Sequence, residues 1–489
     1  MQKTLILLSS IFLFLSCTSS IYVYRNGSLR EKTEIINTND EFVWGINGHP
    51  VSDVDYVESS LDQQLNLIKE HQLDFYRFDV RINEAGEVIW NPERFQELLI
   101  KSRQMEIELL PVILINQFLG DYKISESEAF RRGKVQMEGF TKKYGSYINY
   151  YALGNEQDIR IINEKTDGKF TSDYDYEKFK IVAAYLQGME EGIKSIKPEA
   201  KTIVNSAGWL HYGYYQLLKE NNVNYDILGY HWYSFTDSYS RDFGEGNNMN
   251  IIRNRFSKPI WLTEINRADG SRGDYYNNQA RLMERFIEDL NNHPQIKGFF
   301  IYELYDQPAL SQSENSKYPQ SEFGIIKWTS NPPNYNQFEY KPVSDVIKFS
   351  VEEAKHGYED YVYQLILTLT GSEPEKNELQ KWTTELERYK NREIFLRNYF
   401  AENQIQLFQN RIISGTKKQV IEIKTVMDSA YLKYLQRSPN IEESKFWTKK
   451  LQKKNQRIGI DETLLLSEEF WQNAIWSGYE RRTGYERPK

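Results

Sequence analysis

From Phe42 onward, short apolar runs of strand length alternate with longer stretches whose apolar residues recur at helical spacing. The runs are Phe42–Asn47, Phe75–Val80, Ile107–Leu114, Ile148–Leu153, Thr202–Asn205, Tyr225–His231, Ile260–Thr263 and Lys297–Tyr302. Parallel strands covered on both faces produce such near-continuous apolar segments. Between them, Leu61–Lys69 sets Leu61, Leu65 and Ile68 on one helical face, Phe95–Ile100 repeats the spacing, and Tyr176–Ile196 is long and amphipathic. Eight βα units across residues 41–350 predict an α/β fold, a (β/α)8 TIM barrel, whose size runs from about 200 to over 400 residues. An open doubly wound sheet is the competitor, but no Gly-rich phosphate loop follows the first run. The strand count favours the barrel.

The pattern changes after Ser350. Residues 358–489 are rich in Lys and Glu, carry Leu and aromatic stripes, and show no further βα alternation, which predicts a smaller all-α domain. Within it Pro374, Trp382 and Leu386 recur as Pro439, Trp447 and Leu451 at identical spacing, a weak two-fold internal repeat. Its interspersed acids and bases read as solvated helix faces. Ahead of the barrel, residues 18–40 are polar, with Asn26-Gly27 and mixed charges, and read as a tether. Residues 1–17 read as a signal peptide. Lys3 precedes an apolar run, Leu5–Leu15, that is too short to span a bilayer. The run ends in Phe14-Leu15-Ser16-Cys17, which resembles a bacterial lipobox with Phe14 where Leu is usual. That resemblance implies lipidation of Cys17 and a place in the bacterial cell envelope, exported and lipid-anchored to the membrane. Ordinary signal-peptide cleavage, giving a secreted or periplasmic protein, is the alternative.

Composition narrows the function classes. A net charge of -8 argues against nucleic acid, whose binders carry a basic face that neutralises phosphates. With 35 Tyr and 10 Trp the chain can offer stacking platforms for sugars, although the same rings serve core packing. Cys17 is the single cysteine, so no intrachain disulfide forms. Six His without a His-Glu-x-x-His motif or a cysteine cluster give no motif for a metal, and no cofactor is expected. No Gly-x-Ser-x-Gly elbow suggests a serine hydrolase.

In a (β/α)8 barrel the active site forms where the strands end at their C-terminal side. Polar residues in or just after the runs include Asn47, His49, Arg77, Asp79, Asn116, Asn155, Glu156, His231, Tyr233, Glu264, Glu303 and Asp306. Any one of them is as readily a helix cap or a surface residue. Their joint placement points to a site, and Glu156 and Glu264 supply two carboxyl groups from different strands. Cleaving a glycosidic bond needs such a pair: one acid protonates the leaving oxygen, and the other acts as nucleophile or base. A separation of about 5–5.5 Å goes with retention of configuration, and roughly 6.5–9.5 Å with inversion.

Gly154-Asn155-Glu156 ending the fourth strand and Thr263-Glu264 ending the seventh resemble clan A of the glycoside hydrolases, with families 39 and 5 the nearest in shape. The resemblance covers residues 42–350. It implies that Glu156 is the general acid/base, Glu264 the nucleophile, and Asn155 a ligand of the sugar 2-hydroxyl. His231-Trp232-Tyr233 is similar to the clan's sixth-strand His-x-Tyr, whose Tyr holds the nucleophile, and Arg77 resembles the second-strand Arg beside that carboxylate. Phe323-Gly-Ile325 and Lys341-Pro342 resemble the segment leading into the final barrel helix. Two departures stand out: Gln157 where Pro is frequent, and Phe300, Tyr302 and Glu303 where an eighth-strand Trp is common. Tyr302, Trp232 and Trp44 are the candidate sugar platforms, each equally suited to packing, and Asn47 completes the substrate-binding set. The C-terminal repeat resembles domain-of-unknown-function family 4214, with plain helical packing as the alternative. A cation and a hydroxyl beside Glu264 would lower its pKa, while its negative charge would raise that of Glu156. The expectation is a retaining glycoside hydrolase with a carbohydrate substrate. A barrel that binds glycan without cleaving it is the rival, since fold does not establish activity, and a helical attachment module carried on a barrel spacer is a third reading.

Overall fold

The computed structural model describes residues 21–25, 28–32, 42–234, 252, 254–273, 275–290, 293–312, 319–330, 335–405, 419–451 and 459–485. The expected signal peptide and Cys17 lie outside the described residues. The segment read as a tether contains two strands, Ile21–Arg25 and Ser28–Lys32, paired antiparallel with Arg25 opposite Ser28. The physical reason was present in the chain: Ile-Tyr-Val-Tyr is strongly β-prone, and Asn-Gly between two such runs is the strongest short hairpin signal.

Eight parallel strands close into a barrel: β1 Val43–Gly48, β2 Phe75–Val80, β3 Glu108–Ile113, β4 Tyr150–Leu153, β5 Lys201–Ser206, β6 Ile227–Tyr233, β7 Ile260–Asn266 and β8 Ile296–Ile301. Each strand pairs with its chain neighbour, and β8 closes on β1 with Phe299 opposite Trp44. The predicted helices are present as Leu61–Glu70, Pro92–Gln104 and Tyr176–Ile196. Ser60 caps the first and Asp175 the last, each accepting a backbone N–H of the opening turn.

Side-chain parity divides the strands into two layers. Phe75, Leu110, Val112, Ala152, Ile203, Ile227, Trp261 and Phe300 fill the lumen. Trp44, Ile46, Tyr76, Phe78, Leu228, Tyr230, Trp232, Leu262 and Ile265 join the larger core cluster with residues of the surrounding helices. Burying one such side chain contributes roughly 1.5–3 kcal/mol. The lumen is tight at β1: a Cβ on Gly45 would stand 2.3 Å from the Phe300 ring. Residues above this plug face the C-terminal mouth, and the strand-end polar groups are found there.

Two compact units divide the chain. The barrel unit comprises Ile35–Lys355 and Tyr479–Lys489, and the other is built on His356–Gly478. The sequence reading assigned the last residues to the helical domain, whereas Tyr479–Lys489 groups with the barrel. Specific contacts explain the reassignment: the Tyr479 hydroxyl donates to the Glu70 carbonyl at 2.6 Å, Arg482 Nε donates to buried Glu352 at 2.8 Å, and the Lys348 ammonium lies 4.0 Å from the Tyr485 ring centre. In the helical unit the repeat signature marks equivalent positions. Lys376–Tyr389 and Ile441–Leu451 each begin two residues after Pro374 and Pro439. Trp382 packs edge-on to Tyr399 at 4.8 Å, and Trp447 donates its indole N–H to the Tyr431 hydroxyl at 3.0 Å. No helix among the described residues is long and apolar enough to cross a membrane.

Candidate active site

Strand parity delivers the site. On β2, Phe75 points into the lumen, so Arg77 and Asp79 follow on the same face nearer the mouth. On β6 the same alternation turns His231 and Tyr233 inward and Trp232 outward. Trp232 is 4 % exposed, against Tyr230 and the Phe286 ring of the helix Tyr276–Leu290. It is therefore not a sugar platform, and neither is Trp44, 2 % exposed between Phe42 and Phe299.

Glu264 reaches the mouth through a bulge. With Trp261 inward and Leu262 outward, strict alternation would send Glu264 out into the helical layer. Both neighbours of β7 record one extra residue: Tyr230 and His231 pair with Leu262 and Glu264, and Phe299 and Ile301 pair with Leu262 and Ile265. That insertion lets Thr263 and Glu264 both precede an outward Ile265, re-aiming the carboxylate inward.

Glu264 is 7 % exposed and held on both oxygens. Arg77 Nη1 donates to Oε1 at 2.8 Å and the Tyr233 hydroxyl to Oε2 at 2.8 Å. Burial alone would raise the Glu264 pKa. The charges of His231 and Arg77, with the hydrogen bonds from Tyr233 and Arg77, outweigh it and hold the carboxyl below its ordinary value. Arg77 is itself placed by its neighbours: Nη1 donates to Asn47 Oδ1 at 2.6 Å and Nη2 to Asn155 Oδ1 at 2.9 Å. Asn47 departs from its expected role. It is 2 % exposed, and its amide nitrogen donates to the Thr263 and Ile301 carbonyls, both at 3.1 Å, so it positions Arg77 and reaches no open cleft.

Glu156 lies across the mouth, partly exposed. Its backbone takes a left-handed φ of 49°, unusual for a residue with a side chain, and its N–H donates to Asn205 Oδ1 on β5 at 2.8 Å. His231 bridges the acids: Nδ1 is 2.7 Å from Glu156 Oε1, and Nε2 is 3.4 Å from Glu264 Oε1. One oxygen of each carboxylate and a His231 nitrogen all lie within 4.8 Å of one another. By distance these three groups could hold a cation, but Arg77 already sets a positive charge on the Glu264 end. An oxygen of each acid within 4.8 Å of one of the other is in keeping with the close spacing of a retaining pair, about 5–5.5 Å.

Beside this pair, the mouth of β8 carries a second polar group. Tyr302 is partly exposed, with its hydroxyl 3.3 Å from His49 Nε2 and its ring near Tyr233 and Phe323. His49 Nδ1 lies 2.6 Å from Asp79 Oδ1, and Nε2 is 3.4 Å from Glu303 Oε2, which also accepts the Tyr56 hydroxyl at 2.7 Å. Burial works against protonating His49, but the Asp79 and Glu303 charges raise its pKa to about 9. Burial pushes the Glu303 carboxyl up to about 8 despite the His49 charge and the Tyr56 bond.

Asn205 and the Asp158–His211 pair adjoin the Glu156 segment although sequence reasoning did not select them. The parity of β5 was the available signal for Asn205, since Ile203 points inward two residues earlier. Asp306 turns out to be structural, accepting from Lys341 Nζ at 2.5 Å and from the Gly324 N–H at 2.9 Å.

The model of glycosyl hydrolase family 53 matches residues 128–349, a span that includes Asn155, Glu156, His231, Tyr233 and Glu264. No curated protein sequence matches the chain. Among solved structures, the β-glucosidase of Thermotoga maritima in complex with deoxynojirimycin is similar at 11% identity, TM-score 0.48, over 65% of this chain and 99% of that one. The family 1 β-glucosidase of Exiguobacterium antarcticum B7 is similar at 12% identity, TM-score 0.47, over 65% and 98%. With the family match and the carboxylate pair in place, the barrel is that of a clan A glycoside hydrolase, a retaining enzyme acting on carbohydrate.

Proposed function

We propose that Glu264 is the nucleophile and Glu156 the general acid/base in hydrolysis of an O-glycosidic bond in an oligo- or polysaccharide. The observation that carries the assignment is the asymmetry between the two acids. Glu264 is buried and clamped by a guanidinium and a phenol, an environment for an ionised group, whereas Glu156 is more exposed and shares a hydrogen bond with His231.

In the first step Glu264 Oε attacks the anomeric carbon while the Glu156 proton passes to the departing glycosidic oxygen, so one C–O bond forms as another breaks. Negative charge on Glu264 is consumed as the glycosyl ester forms. Glu156, now a carboxylate, takes a proton from the incoming water, whose oxygen attacks the anomeric carbon and releases Glu264. His231 touches both carboxyl groups and positions one against the other. Asn155 accepts from Arg77 through its oxygen, which turns its amide nitrogen to the sugar 2-hydroxyl, and Tyr302 stands where the clan commonly has Trp.

The test is kinetic. On β-1,4-linked tetrasaccharides of glucose, galactose, mannose and xylose, Glu264→Ala should lose roughly a thousandfold or more of the activity of the parent. Glu156→Ala should lose as much on these substrates but far less on 4-nitrophenyl glycosides, whose leaving group needs little protonation, and azide should restore its turnover. A parent that binds these glycans without cleaving any of them, or an active Glu264→Ala variant, would overturn the assignment.

We further propose export and lipid anchorage through Cys17, supported by Lys3, the Leu5–Leu15 run and the lipobox-like Phe14–Cys17. Cys17→Ser should move the protein out of the membrane fraction. Persistence of the variant there would refute the anchor.

A further inference from the structure

We propose that the helical unit carries a binding groove for an acidic polysaccharide, a chain bearing carboxylate or sulfate groups at regular intervals. Across the unit as a whole acids and bases are mixed, in keeping with solvated helix faces, but the mixture is uneven. Residues 411–457 hold twelve Lys or Arg against four Asp or Glu, a local excess of +8 in a chain whose net charge is -8. A stretch so charged, within an otherwise acidic protein, sets up a positive field that concentrates anions.

Part of this charge gathers in one place. The consecutive helices Gln419–Leu435 and Ile441–Leu451 border a groove of about 890 Å³. Lys424 from the first helix and Lys445 and Lys449 from the second line it, all three exposed. Nearby cations are satisfied within the unit: Arg437 is held by Glu443 at 2.7 Å and by Glu469 at 2.6 Å, and the Lys450 ammonium lies 4.7 Å from the Trp447 ring centre. Lys424, Lys445 and Lys449 have no such partner among the described residues, and Asp428 is the one described acid that lines the groove. Three like charges around one groove repel one another, a cost that a bound polyanion offsets.

The rest of the lining suits a sugar chain. Lys445 and Lys449 stand one turn apart, about 6 Å along the helix axis, a repeat that matches a polymer with evenly spaced anions. Ile441, 73 % exposed, joins Met427 and Pro439 in an apolar wall for the C–H faces of pyranose rings, while Ser444 and Thr448 bring hydroxyls. No aromatic ring is among the described residues of the lining, so the bases of a single-stranded nucleic acid would find no stacking platform. A groove with hydroxyls on its wall also differs from the apolar helix face with basic edges that lies in a bilayer. The barrel of the same chain acts on carbohydrate, and a glycan held at a second site of that chain has a raised effective concentration at the first. The groove does not depend on the roles of Glu156 and Glu264.

Calorimetric titration of the full chain with polygalacturonate, alginate and chondroitin sulfate tests the groove. At least one of these polymers should bind, and more weakly as sodium chloride is added. Replacing the three cations together, Lys424→Gln, Lys445→Gln and Lys449→Gln, should weaken that binding about tenfold or more, while Arg at the same positions should keep it within about threefold. A second triple variant, Lys376→Gln, Lys381→Gln and Lys390→Gln, removes equal charge elsewhere in the unit and should change binding by less than about twofold. Exposed lysines tolerate such changes, so the melting temperatures of parent and variants should agree. No binding to any of the three polymers, no loss in the first triple variant, or an equal loss in both would overturn the proposal. So would lysine-dependent binding to phosphatidylglycerol vesicles or to oligo-dT that is tighter than binding to every acidic polymer, since the ligand would then be a membrane or a nucleic acid. Lysine-dependent binding in a chain that hydrolyses no glycan would uphold the groove and count against the catalytic assignment instead.

Discussion

At the residue scale, the chemistry depends on keeping one of two identical side chains ionised. The Tyr233 hydroxyl supplies one of the bonds that hold the Glu264 carboxyl down against burial. Tyr233→Phe removes a donor to the charged form, so the Glu264 pKa should rise and the acidic limb of the kcat/KM profile should move to higher pH, with a roughly tenfold or greater loss at the optimum. A pH series on the parent and variant checks this; an unshifted acidic limb would show that Tyr233 does not tune the carboxylate. The linkage sign agrees. A depressed carboxyl contributes stability above its unfolded pKa and loses it as pH falls through the folded one. Glu156, Glu264, Arg77, His231 and Tyr233 meet at one mouth, and the sequence pointed to them because they lie in or just after apolar runs. The task of Asn47 was not legible, because hydrogen bonds to the Thr263 and Ile301 carbonyls depend on strands far apart in the chain.

At the scale of elements, all eight strands were legible because buried parallel strands are nearly all apolar, and the period-two rule then sorts their faces. It demotes Trp232 by placing it between His231 and Tyr233. It fails at β7, where an extra residue beside Thr263 turns Glu264 inward, because nothing local in Pro-Ile-Trp-Leu-Thr-Glu announces a bulge. The hairpin at Ile21–Lys32 was missed because mixed charge hid a β-prone pair of runs around Asn-Gly. The loop after β5 was also invisible, since its shape comes from close approach to β6. Gly208 takes φ 89°, and its hydrogen faces the His231 carbonyl. Gly208→Ala should therefore cost about 3 kcal/mol and depress activity by moving His231. Thermal unfolding beside kcat would check both, and an unaltered melting temperature would contradict the close approach.

At the scale of the whole molecule, the charged groups at the mouth tie stability to pH. Glu303 is raised to about 8 chiefly by burial, so its contribution is complete below the unfolded value of 4.5 and is lost as pH climbs through about 8. His49, raised to about 9 by Asp79 and Glu303 against the effect of burial, contributes fully below 6.5 and loses its contribution as pH climbs through about 9. The melting temperature should accordingly fall by a few degrees between about pH 4.5 and 9, most steeply between about 6.5 and 8 where the two windows overlap, and Glu303→Gln, a neutral mimic, should remove the share of the fall that lies between about 4.5 and 8. Calorimetry at intervals across that range reads this, and a flat parent profile would contradict the buried acid. The bridging of two carboxylates by His231, with Arg77 and Tyr233 on one of them alone, leads to the most direct test of the account. The parent would be inactivated with the 2-deoxy-2-fluoro glycosyl fluorides of glucose, galactose, mannose and xylose, digested, and mapped by mass spectrometry. A single fluoroglycosyl ester on the peptide carrying Glu264 is the predicted result; an ester on Glu156 or another residue, or product of inverted configuration without any ester, would contradict it.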